Sequence, residues 1–224
     1  MNASNKLLFG AAALALAGCA FEPRPPEFLP VLAERRALIV VAEMDAGEYL
    51  KPLPDPPAKP GVVTVSMDPP PHWVRAEVQQ TIYGPANLPS VLYAGTGSHY
   101  GPQPMSPDPQ LVFFITDGSQ YIMQRYGHKA LLTKLDGSLL LPVWDAQVSP
   151  WLPCAVLELR EEIDSGQVRE TLKKRDADYL PAMQRPDLFR AVPGGFVPRY
   201  AIDLRKLAAF LRANPPPAGR IECE

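Results

Sequence analysis

Val74-Arg75-Ala76-Glu77-Val78-Gln79 alternates apolar and polar side chains with a period of two. On an extended chain successive side chains point to opposite faces, so Val74, Ala76 and Val78 share one face and Arg75, Glu77 and Gln79 the other. This is a half-buried strand, and it continues toward Ile82-Tyr83 before Gly84-Pro85 ends it. Upstream, Ala37 to Met44 is an apolar run interrupted only at Glu43, which suits a strand buried on both faces, although periodicity alone also admits a short helix. Val62 to Met67 and Ser90 to Ala94 are further strand candidates. Downstream, Leu111–Thr116 and Gln120–Tyr126 flank Asp117-Gly118, and Ala130–Leu135 and Ser138–Trp144 flank Asp136-Gly137. Asp-Gly is favoured in tight hairpin turns, so two hairpins are expected.

After Pro153 the period lengthens. Val156, Leu159 and Ile163 stand at helical spacing with Gly166 to end the helix, and Val168 and Leu172 suit a second short one. A last helix begins after Asp203, a capping residue, with Leu204, Leu207, Ala208 and Leu211 on one face; Asn214 and Pro215-Pro216-Pro217 stop it. Strands followed by helices predict an α+β fold with a dominant antiparallel sheet. Val74-Arg75-Ala76-Glu77-Val78, Val91-Leu92-Tyr93 and Leu111-Val112-Phe113-Phe114 together resemble the OB-type barrel of netrin-like modules and tissue inhibitors of metalloproteinases. The resemblance covers a quarter of the chain, lacks that family's cysteines and implies a small closed barrel. An antiparallel sandwich fits the same pattern.

The front of the chain carries a different signal. Lys6 precedes the apolar run Leu7 to Leu16, and Leu16-Ala17-Gly18-Cys19 follows. The run is well short of the roughly 20 residues a membrane-spanning helix needs. It resembles a bacterial lipoprotein signal peptide with its lipobox, which implies cleavage between Gly18 and Cys19 and lipid on the Cys19 thiol. Ala20 stands where an Asp would favour the inner membrane, so the resemblance implies a periplasm-facing anchor in the outer membrane. The expected organisation is a signal at 1–18, a lipidated and proline-rich tether at 19–36 and one globular domain at 37–224. Glu22-Pro23-Arg24-Pro25-Pro26-Glu27 favours extended polyproline conformation, and at about 3.1 Å per residue the stretch 20–30 reaches roughly 30 Å. With Cys19 assigned to lipid, Cys154 and Cys223 are left to pair in an oxidising envelope, two free thiols being the alternative.

Composition limits the partners. The whole chain has 22 basic and 24 acidic side chains; losing Lys6 with the signal leaves 21 against 24, a net charge of −3. That balance gives no footprint for nucleic acid and no polybasic grip on anionic lipid. The 28 prolines cluster between apolar runs, which suits strands and loops.

No catalytic signature stands out. His72, His99 and His128 are the only histidines, none with a second ligand at metal spacing, and they read as loop or surface residues. Gly95-Thr96-Gly97-Ser98-His99-Tyr100-Gly101 looks like a phosphate cradle, but Pro102 and Pro104 prevent the helix that such a loop must open. It reads as a strand-to-strand turn in which Ser98, His99 and Tyr100 form a contact surface. Trp73, Trp144 and Trp151 suit core packing or partner anchoring. No metal or cofactor is expected. The function that fits is a lipid-anchored module that binds or assists another envelope protein. A periplasmic hydrolase using Ser98 with His99, or His72 with Asp68, is one alternative; a structural part of a secretion or surface assembly is another.

Overall fold

The structure is a computed structural model that describes residues 24–51, 69–97, 102, 105–106, 108–144, 147–168, 184–193 and 195–223. Five strands close a barrel: β1 (Arg36–Tyr49), β2 (His72–Tyr83), β3 (Val91–Thr96), β4 (Gln110–Thr116) and β5 (Tyr121–Ala130). Their order is β1-β2-β3-β5-β4, with β4 pairing back onto β1. Every pairing is antiparallel except β3 with β5, which run parallel. This is an OB-like barrel, and closure leaves it no free sheet edge.

β1 is apolar from Ala37 to Ala42 because both its faces are covered there. Leu38, Val40, Ala42 and Met44 point into the barrel with Val74, Ala76, Leu92, Val112 and Phe114. Ile39 and Val41, between them, point outward with Leu111 and Phe113 into a second core. β2 behaves as its alternation predicts: Val74 and Ala76 are buried inside, and Val78 packs against the same core. Shifts of register along the β1–β2 ladder mark bulges, the usual means of curving a strand into a barrel.

The second core is roofed by the rest of the chain. β6 (Leu132–Thr133), β7 (Leu139–Pro142), β8 (Glu161–Glu162) and β11 (Tyr200–Asp203) form a sheet in the order β6-β7-β11-β8, and β9 (Phe189–Val192) pairs with β10 (Gly195–Pro198). The helix Leu204–Ala213 buries Leu204, Leu207, Ala208 and Leu211 here, the face expected from their spacing. Asp203 caps it, accepting from the backbone N–H of Arg205 at 2.8 Å.

Both hairpins form. Gly118 and Gly137 take the positive φ (100° and 85°) that glycine adopts at no steric cost. The second turn is one residue longer than a two-residue Asp-Gly loop. Lys134 N–H donates to the Ser138 carbonyl and Gly137 N–H to that of Lys134, which is the three-residue type with a glycine bulge. Where helix was expected after Pro153 there is a 3-10 segment, Cys154–Leu159, after which Arg160 is extended and Glu161-Glu162 pairs with β11. The buried positions Val156 and Ile163 are the expected ones; the conformation between them is not. A strand ladder gave this stretch partners that an isolated short helix lacks. A second 3-10 turn covers Ser165–Gln167, and Val168 bridges to Lys134. Leu172 and the strand candidate Val62 to Met67 lie outside the described residues.

Cys154 and Cys223 are joined in a disulfide across 69 residues, with their Cα atoms 5.6 Å apart. Beside it, Ile221 N–H donates to the Pro150 carbonyl at 2.7 Å and Gln147 Nε2 to that of Ile221 at 2.9 Å.

Part of the expected tether is structural. Lys51 N–H donates to the Glu27 carbonyl at 3.0 Å, and the two side chains pair at 3.4 Å. Leu29 and Pro30 lie so close to Gly95 that a Cβ there would sit 2.9 and 2.7 Å from them. Ala33 N–H then donates to Asp117 at 3.3 Å. Gly95 is also the β3 residue that pairs with Ile122 of β5. Glu27–Ala33 is therefore a strap laid over the parallel seam of the barrel.

Candidate binding groove at the barrel mouth

β1 begins, and β2 and β4 end, at the same mouth of the barrel. Around it lies a groove of about 690 Å³, bounded by the start of β1, the end of β2, the 84–88 connection, the β4–β5 turn and the far end of the 204–213 helix. That volume is in the range of ligand sites, and barrel mouths are a common place for them. Gly84 brings the connection in close: it has φ 139°, and a Cβ on it would meet Leu38 Cδ1 at 2.6 Å. Ala86, Asn87 and Leu88, which follow, make no backbone hydrogen bond to another described residue.

The polar groups are arranged unevenly. Arg36 and Arg212 line the groove; among its described lining residues there is no carboxylate. Arg36 pairs with Glu34 at 2.6 Å, both side chains well exposed, and Arg212 has no ion pair among the described residues. Asp117 stands beside the groove but is turned into its own loop. Its Oδ1 accepts from the backbone and hydroxyl of Ser119 and the backbone of Gln120, which hold its carboxyl far below the usual range. Burial, and secondarily the Asp117 charge, pushes the Tyr121 phenol up, so it remains a hydroxyl in the groove. Apolar surface comes from Leu88, Pro85 and Pro215, with the buried Ile82 behind them.

The residues singled out from sequence are elsewhere. Gly18, Cys19, Asp68, Ser98, His99 and Tyr100 lie outside the described residues. His72 is not a surface residue: it is 2% exposed and continues the inward series of Val74 and Ala76. Its Nδ1 has no hydrogen-bond partner among the described residues, and burial lowers its pKa. His128, opposite Val112, also has a buried Nδ1 without a partner; burial first, then Lys129, lowers its pKa. Trp73, Trp144 and Trp151 are half-buried; Trp73 packs edge-on to Tyr93 and Trp144 against Phe189. On the outer face of β2, Arg75 lies between Asp45 and Tyr93 in the ladder and donates to Asp45 at 3.5 Å and Glu77 at 2.5 Å. Among the described residues no three of His, Cys, Asp and Glu are grouped to hold a metal ion.

The groove was missed because it is made of turns and strand ends. Gly84-Pro85 and Asp117-Gly118 announced turns in the sequence, but nothing in either says that they meet. No protein family, curated protein or solved structure matches this chain.

Proposed function

We propose that this protein is an exported lipoprotein, anchored through Cys19 in the periplasmic leaflet of the outer membrane, and that its barrel binds another protein of the envelope. The observation that carries the binding role is the groove at the barrel mouth, walled by exposed backbone, apolar surface and two arginines. The lipobox supports the anchor, and the Cys154–Cys223 bridge suits an oxidising compartment. The strap shortens the leash. From Cys19 to Glu27 is eight residues, about 25 Å at full polyproline extension. The chain meets the barrel beside Lys51, next to the end of β1, whereas the groove is at the start of β1; the two are at opposite ends of one strand.

The test has two parts. Mass spectrometry of the protein from envelopes finds Cys19 N-terminal and acylated, and Cys19→Ser leaves the protein in the soluble fraction; an unmodified thiol ends the anchor reading. A photoreactive residue at Asn87 yields one defined adduct in intact cells that the same probe at Leu135, on the exposed β6–β7 turn, does not. Absence of any adduct at Asn87 ends the binding reading.

A further inference from the structure

We infer that the groove receives an extended, acidic segment of the partner protein; the inference rests on the binding reading above and specifies its chemistry. Charge is the first observation. On a chain with 24 acidic and 22 basic side chains, the described lining of this groove holds Arg36 and Arg212 and no carboxylate. Two acids stand beside the groove: Glu34, paired with Arg36, and Asp117, whose carboxylate is engaged by three donors of its own turn. Among the described residues Arg212 has no ion pair to give up on binding, and Arg36 has only an exposed pair with Glu34, of a kind worth roughly 0–1 kcal/mol. Carboxylates entering the groove thus gain charge-assisted bonds at little loss.

Backbone is the second, independent observation. Ala86, Asn87 and Leu88 run along the groove with main-chain groups that no described residue pairs. A peptide in extended conformation offers the matching donors and acceptors, and its alternate side chains point to opposite sides. One set reaches the arginines while the other rests on Leu88, Pro85 and Pro215. A compact anion such as phosphate would use the charge and leave the apolar floor and the backbone unused.

The experiment uses the mature chain in detergent and two fluorescent ten-residue peptides, acetylated and amidated, one alternating Leu with Glu and the other Leu with Lys. Anisotropy is expected to show the Glu peptide binding at least tenfold more tightly. Arg36→Gln with Arg212→Gln is expected to remove that preference, and the paired Arg→Lys variant to retain most of it. Both arginines are exposed, so the variants fold, which their urea midpoints verify. Equal binding of the two peptides, indifference to the Arg→Gln pair, or displacement of the Glu peptide by dodecyl phosphate at equal concentration overturns the inference. If the Asn87 photoprobe still captures a protein, an acid-blind peptide result refutes only this chemistry; if it captures nothing, the binding reading falls with it.

Discussion

The indole of Trp73 rests directly on the backbone of Gly47: a Cβ built on Gly47 would lie 2.0 Å from Trp73 Cδ2. The ring is held there by its edge contact with Tyr93, 5.5 Å between centroids. Gly47→Ala should therefore cost about 1–3 kcal/mol, the range for forcing an extra carbon into a packed site. Urea denaturation measures it. Trp73→Ala in the same chain should abolish the penalty, and an additive double variant would disprove the contact as its cause.

The two faces of β1 make a sharper test of the barrel. Leu38 points inward and Ile39 outward, and both are buried. Leu38→Ala and Ile39→Ala should each cost about 2–5 kcal/mol. On β2 the neighbours Val74 and Arg75 should differ: Val74→Ala destabilises, while Arg75→Ala, removing ion pairs with exposed acids, changes stability by about 1 kcal/mol or less. Equal costs at Val74 and Arg75 would contradict the assigned faces.

The disulfide closes a loop of 69 residues. The chain-entropy relation puts its contribution near 4 kcal/mol. Cys154→Ser with Cys223→Ser should lower the urea midpoint accordingly, and amide exchange at Ile221, whose N–H donates to Pro150, should accelerate more than exchange in β1. Uniform acceleration would mean that the bridge supports the whole barrel rather than the tail.

Acid should weaken the fold in two separate windows. His72 and His128 have pKa values lowered by burial from 6.5. The unfolded chain therefore takes up protons first, and stability falls as pH drops below about 6.5 until the folded histidines titrate. Asp203, held below the ordinary carboxylate range chiefly by the Arg205 side chain, contributes stability that is complete above its unfolded pKa and is lost as pH falls through its folded pKa. His72→Phe should shrink the upper window to the share of His128 and leave the lower one in place. Urea midpoints measured from pH 3 to pH 8 give both, and an unchanged upper window would show that His72 is not the group responsible.

Where the chain repeats with a period of two, or is apolar without a break, its residues already announced which strands are half-buried and which are covered on both sides. Burial depends there on local alternation, and each side chain's face follows from its neighbours on the strand. The helix at 204–213 and the Asp-Gly turns were legible for the same reason: cap, face and turn chemistry are local. His72 was misread because a lone polar residue carries no period; only the inward register of β2 places it inside. The segment after Pro153 shows the opposite failure, in which a helical spacing of buried residues is realised as a 3-10 turn and a strand because β11 supplies the pairing.

The sequence by itself determined the strands up to β7, the Asp-Gly turns and the final helix. Only the tertiary structure decided that β1 closes on β4, that β3 meets β5 in parallel, that Glu27–Ala33 straps this seam, and that two turns, strand ends and a helix end surround a groove. Those are contacts between residues far apart in the chain. Their free energy comes from joint burial and long-range hydrogen bonding, and no short stretch of sequence carries the identity of its distant partner.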